Sequence, residues 1–265
     1  MKSIKEQLRE GLLTEDYNLV SELKSLSQEI LTYFANSWLR EGRFYSDEIY
    51  LKNFINPKNY EMLGELIQES RLGVEMVPNY SSNGSFYRTH KRSTIYSIKI
   101  RVTDNQIDGI NKEIKAYDGD NLSSFIYWST YDFNSVMIHE LQHAYDSFRS
   151  DGRFDTHKQN DAFHRKTIET MFNRDKKTRQ AMFDRYLKLT HEINARFSQA
   201  IEAINPFDLV QVGDDWERKV LSWDEYYKEF VKKFMGWDVM SPNNRKRLTT
   251  RLAKTYQQFL DKQKE

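Results

Sequence analysis

Apolar residues recur along this chain in two rhythms. From Leu19 they fall at three- and four-residue steps, through Leu23, Leu26, Ile30, Phe34 and Trp38, up to Gly42. That spacing lines one face of an amphipathic helix, and the glycine stops it. Between Ser93 and Thr103 the period drops to two. Tyr96, Ile98, Ile100 and Val102 alternate with Ser97, Lys99, Arg101 and Thr103, as in a half-buried strand. Shorter strand-like runs lie at Val74–Val77, Phe86–Thr89, Glu113–Tyr117 and Ser124–Ser129. Asn83-Gly84, Asp108-Gly109 and Asp118-Gly119 read as turn pairs between them. Residues 70–130 are therefore expected to form a small, mainly antiparallel sheet.

Helical spacing then returns. Phe133 to Phe148 fits a helix, with Asp132 or Asn134 able to cap its start. Met182, Tyr186, Leu189, Ile193, Phe197, Ala200 and Ile204 stripe residues 175–204, ended by Asn205-Pro206. Ser222 and Glu225 form a capping box for Ser222–Phe234. Ser241-Pro242 is an N-cap followed by a first-turn proline, and Leu248, Leu252, Tyr256 and Phe259 stripe the last helix. The expected architecture is α+β: a helical region over 1–69, a central domain over 70–204 and a C-terminal helical region over 205–265 that packs on it.

Composition narrows the function classes. Lys and Arg number 40 against 39 Asp and Glu, a net charge of +1, so nucleic-acid binding is not expected. Arg245, Lys246, Arg247, Arg251 and Lys254 make a basic patch on the last helix, read as a solvated face. The 16 Phe, 16 Tyr and 5 Trp supply enough ring area for a substantial core. Cysteine is absent, which excludes disulfides, thiolate zinc sites and a thiol nucleophile. No apolar run is long enough to span a membrane, and the opening residues carry no secretory signal. A cytoplasmic setting is the expectation.

The chemistry concentrates in His139-Glu140-Leu141-Gln142-His143. On a helix, His139 and His143 project from one face, one turn apart. Two imidazoles so placed can grip one tetrahedral ion at ~2.0–2.1 Å each. Glu140 lies about 100° round the helix, where a carboxylate can take a proton from water activated by the metal. Val136, Met137, Leu141, Ala144, Tyr145 and Phe148 give this segment its apolar positions. A strand-rich stretch precedes it, where an edge strand holding an extended substrate would lie.

A catalytic zinc takes three protein ligands and one open position. The position six residues beyond His143 is Arg149, which removes the metzincin arrangement. A downstream carboxylate, His157, His164 or His191 remain as third ligands. Glu192 is favoured among them. It adjoins the core residue Ile193, and Ala195 one turn on would let its helix approach the metal helix closely.

HELQHAYD followed by a helix reading HEINARF resembles the gluzincin-type zinc metallopeptidases. It is similar above all to the ImmA/IrrE-type and to phage-encoded zincin-like domains. The resemblance covers roughly residues 90–200. It implies a zincin-like fold, Zn2+ held by His139, His143 and Glu192, and Glu140 as general base. It also implies a protein or peptide substrate and a phage or mobile-element origin, which leaves room for association with a virion in a host cytoplasm. Thermolysin-like members carry an Asp one turn after the ligand Glu; here that residue is Arg196. Asp146 or Asp132 could orient a ligand imidazole instead. Tyr145, Tyr186, His191 and Arg196 are candidate oxyanion donors. The expected activity is peptide hydrolysis. The alternatives are a zincin-like structural or virion-associated protein with a retained or inactive site, and a zinc hydrolase acting on another bond.

Overall fold

In a computed structural model the chain is α+β and mostly helical, with a small mixed sheet. The structure describes residues 17–79, 83–88, 95–149, 180–181, 184, 187, 190–212 and 215–263. It divides into two compact units: Glu22–Gln159, and Met1–Ser21 together with Asn160–Glu265. Among the described residues, no helix is long and apolar enough to cross a membrane.

Helix α1 runs Tyr17–Glu41, and from Glu22 onward it opens the first unit. Leu23, Leu26, Ile30, Phe34 and Trp38 are fully buried, as their spacing requires. Gly42 ends the helix in the left-handed region at φ 68°. Its N–H bonds the carbonyl of Leu39, and the Arg43 N–H bonds that of Trp38, both at 3.2 Å. Only a residue without Cβ takes that turn cheaply. Strand β1 (Asp47–Tyr50) follows, then the short helix α2 (Gly64–Glu69). Glu22 Oε2 on α1 accepts the backbone N–H groups of Met62 and Leu63, both at 3.0 Å, and so ties down the residues just before α2.

Strands β2 (Arg71–Pro78), β3 (Asn83–Arg88) and β4 (Ile95–Val102) complete a sheet of order β1-β2-β4-β3. β1 and β2 are antiparallel, β2 and β4 parallel, β4 and β3 antiparallel. The sheet is therefore mixed: two of its three pairings are antiparallel, in line with the mainly antiparallel sheet expected, and the central pair is parallel. The register sets Leu72 against Tyr96, Val74 against Ile98 and Met76 against Ile100, all buried. The alternation of β4 thus has the expected cause: one face is core.

Two expected strands are helical. Glu113–Tyr117 falls at the end of α3, Asp104–Ala116. Thr103 and Gln106 close a capping box there, and Ile107, Ile110 and Ile114 recur at helical spacing. Ser124–Ser129 lies inside α4, which runs from Leu122 to Arg149. The side chain of Asn121 caps α4 by accepting the Ser124 N–H at 2.9 Å, so the helix begins three turns before Asp132. Asn134, the other expected cap, sits mid-helix and accepts the Ser27 hydroxyl at 2.6 Å. Clustered Ser, Thr and aromatic residues mimic a strand locally, but Thr130 Oγ1 bonds back to the carbonyl of Ile126 at 2.6 Å, inside the helix.

The second unit contains α5 (Thr190–Glu202), the hairpin β5 (Phe207–Val212) and β6 (Asp215–Val220), α6 (Trp223–Lys233) and α7 (Pro242–Lys262). The hairpin replaces helix at the start of the expected all-helical C-terminal region. Phe197, Phe230, Leu248 and Leu252 centre the core of this unit. Ser222 and Ser241 cap α6 and α7 as their motifs imply. The basic patch is not uniform. Arg245 donates to the carbonyls of Trp237 and Asp238, whereas Arg251 is only 2% exposed. Arg251 lies 3.8 Å from the Phe197 ring centroid and donates to Asn194 Oδ1 at 3.1 Å.

Candidate metal centre

The metal-binding pattern sits in the C-terminal half of α4. One helical turn brings His139 and His143 together so closely that their Nε2 atoms are 3.1 Å apart. The rings stand perpendicular, at 90°, with centroids 4.7 Å apart. Two nitrogens each ~2.0–2.1 Å from a tetrahedral ion would lie ~3.3 Å apart, so the pair already forms about one edge of a zinc tetrahedron. A nitrogen from each ring and a carboxylate oxygen of Glu192 all lie within 4.8 Å of one another. His139, His143 and Glu192 could therefore hold a metal ion. Two neutral imidazoles and one carboxylate suit a divalent cation of borderline softness and leave room for a fourth, non-protein ligand.

Glu192 is in the first turn of α5 and 2% exposed. The positive end of the helix dipole favours a carboxylate there. Ala195, one turn on, is fully buried. Arg196 Nη2 stands 3.8 Å from Glu192 Oε2, with the two side chains 11% and 3% exposed. A guanidinium thus occupies the place where thermolysin-like enzymes carry Asp, and it offsets the buried carboxylate.

Glu140 is 6% exposed and faces the edge strand β3. The contact is possible because residue 84 is glycine: a Cβ there would stand 2.5 Å from both Cγ and Oε1 of Glu140. Asn83-Gly84, expected as a turn, in fact opens β3. A glycine inside a strand often marks a close approach, as here.

The remaining candidates separate clearly. Asp146 is buried and accepts Gln142 Nε2 at 3.0 Å. Asp132 is exposed and meets Gln106 Nε2 at 3.4 Å. Tyr145 is 8% exposed and about 200° round α4 from His143, so it belongs to the core. Burial pushes its hydroxyl above the ordinary tyrosine pKa; Asp146 adds to this and Arg149 opposes it. Tyr186, His157 and His164 lie outside the described residues, as does the side chain of His191. Of the two oxyanion candidates whose side chains are described, Tyr145 and Arg196, it is Arg196 that lies beside Glu192. Comparison with known protein families, with curated proteins and with solved structures gives no match.

Proposed function

We propose that this protein is a zinc-dependent peptidase of zincin-like fold. The observation that carries the reading is the grouping of His139, His143 and Glu192, with a buried glutamate one residue after the first ligand. A structural metal site has no use for that glutamate; hydrolysis does. These three residues would hold Zn2+, which lowers the pKa of water towards ~7 and polarises a substrate carbonyl.

The chain's own groups supply the rest. Glu140 accepts a proton from the attacking water and passes it to the leaving amine. Its low exposure keeps bulk water from competing for that carboxylate. Gly84 leaves the space in which the carboxylate lies. Strand β3 pairs with β4 along one side and, among the described residues, is the last strand of its sheet. An extended peptide adding to its outer side would pass the Gly84 position, next to Glu140. Arg196, beside Glu192, is the candidate donor for charge developing on the carbonyl oxygen.

The test is metal analysis of the purified full chain, followed by hydrolysis of fluorescein-labelled casein. The expected result is one zinc per chain, retained in Glu140→Gln while turnover falls ~10²–10⁴-fold. Absence of stoichiometric metal, or equal turnover in Glu140→Gln, would overturn the reading.

A further inference from the structure

The first three turns of α4 carry a second feature. Among the described residues, six large hydrophobic side chains are exposed, and four of them are Leu122, Tyr127, Trp128 and Tyr131. Trp128 is 62% exposed and Tyr131 61%. The rings are gathered rather than scattered: Tyr127 lies 5.0 Å from Trp128 and 5.3 Å from Tyr131, centroid to centroid. An exposed cluster of this kind marks a contact surface. Tyr and Trp are the residues most enriched at such surfaces.

Two relationships identify what would cover it. The first is position. Trp128 precedes His139 by eleven residues on one helix, which places it ~16 Å away along the axis and only about 20° round it. Trp128 therefore lies on the face of α4 that carries the His139–His143 pair, with Tyr131 and Tyr127 about 80° and 120° round from His139. An extended polypeptide at ~3.3 Å per residue crosses that distance in about five residues. The second is charge. Between Asp104 and Asp132 the chain carries six acidic residues against two lysines. Asp104, Asp108, Asp118, Asp120 and Asp132 are all exposed. Asp132 is one turn from Trp128, and Asp118 and Asp120 immediately precede α4. Ring faces attract cations, and an acidic surround adds to that attraction.

We infer that Tyr127, Trp128 and Tyr131, with the surrounding aspartates, form a recognition site for a basic, apolar segment of the substrate polypeptide, about five residues from the bond that is cleaved. The inference rests on the peptidase reading for its role, but its test reads binding alone. The full-chain Glu140→Gln protein is titrated into fluorescein-labelled twelve-residue peptides, followed by anisotropy. One peptide alternates Lys or Arg with Leu and Phe; a second replaces each basic residue by Glu; a third replaces each apolar residue by Gly. The first should bind at least tenfold more tightly than either of the others. The pair Trp128→Ala and Tyr131→Ala should weaken it at least tenfold, with the melting temperature unchanged because both side chains are exposed. Asp120→Lys with Asp132→Lys should shift the preference toward the Glu peptide. Equal affinity for the first two peptides, or no loss in the aromatic variant, would overturn the inference. A chain without zinc or turnover that still shows this selectivity would sink the peptidase reading and leave the binding site standing.

Discussion

The carboxylate of Glu140 fills the space that a side chain at Gly84 would need, with its Cδ only 2.8 Å from where a Cβ would stand. Strand β3 and helix α4 are fitted to each other at one point, and that point is the proposed general base. Gly84→Ala therefore pushes on Glu140 rather than on a flexible bystander. Overpacking of this kind costs ~1–3 kcal/mol. The expected outcome is at least a tenfold fall in casein hydrolysis with zinc content unchanged. Full activity in Gly84→Ala would show that Glu140 has more freedom than this contact allows.

Metal binding should also appear as stability. A ligand that binds only the folded chain, at 100 times its dissociation constant, stabilises by ~2.7 kcal/mol. Chelator treatment should lower the melting temperature, and added Zn2+ should restore it. His143→Ala should abolish the zinc-dependent rise. Glu192→Ala should weaken zinc binding at least tenfold, or ~1.4 kcal/mol. Unchanged zinc affinity in Glu192→Ala would remove Glu192 from the ligand set.

The pairing of His139 with His143 was legible in the sequence because their spacing is local. Four residues on a helix fix the mutual position of His139 and His143 whatever the rest of the chain does. Glu192 was legible more weakly, through its place beside Ile193 and one turn before Ala195. Gly84 was misread because an Asn-Gly pair signals a turn unless the strand continues through it, and strand pairing with Ile100 is a long-range fact. The helical nature of Ser124–Ser129 was hidden for a similar reason. Its aromatic residues favour strands in isolation, but Tyr127, Trp128 and Tyr131 point outward on a helix that buries Phe125, Ser129, Thr130 and Phe133 over the same turns. The parallel pairing of β2 with β4 depends on the path between them, which residue pattern does not specify.

Arg196 and a bound cation would offset the same carboxylate. In the metal-free chain the guanidinium 3.8 Å from Glu192 carries that role in a largely buried place. Arg196→Gln should therefore cost ~1–3 kcal/mol without metal, the usual penalty for weakening the environment of a buried charged group. With Zn2+ bound, the loss should shrink. Urea unfolding of wild type and variant, each with chelator and with excess zinc, measures all four corners of the cycle. Equal losses in both conditions would show that arginine and metal act on Glu192 independently.

A last prediction concerns pH and lies away from the metal centre. Tyr60 is 5% exposed and donates its hydroxyl to Glu29 Oε1 at 2.6 Å. Burial, then the hydrogen bond and charge of Glu29, push its pKa well above the ordinary value of 10. The unfolded chain loses this proton near pH 10 and the folded chain keeps it. Above pH 10 the folded state thus binds more protons, and stability falls as pH rises. Below pH 10 the hydrogen bond contributes in full, about 1 kcal/mol net. Tyr60→Phe should be less stable than wild type by that amount at pH 8. The gap should close between pH 10 and 11, because only the wild type has a hydroxyl to lose. Parallel urea titrations at pH 8, 10 and 11 measure the difference. A gap that stays constant across that range would mean that the Tyr60 proton is held no more tightly in the folded chain than in the unfolded one.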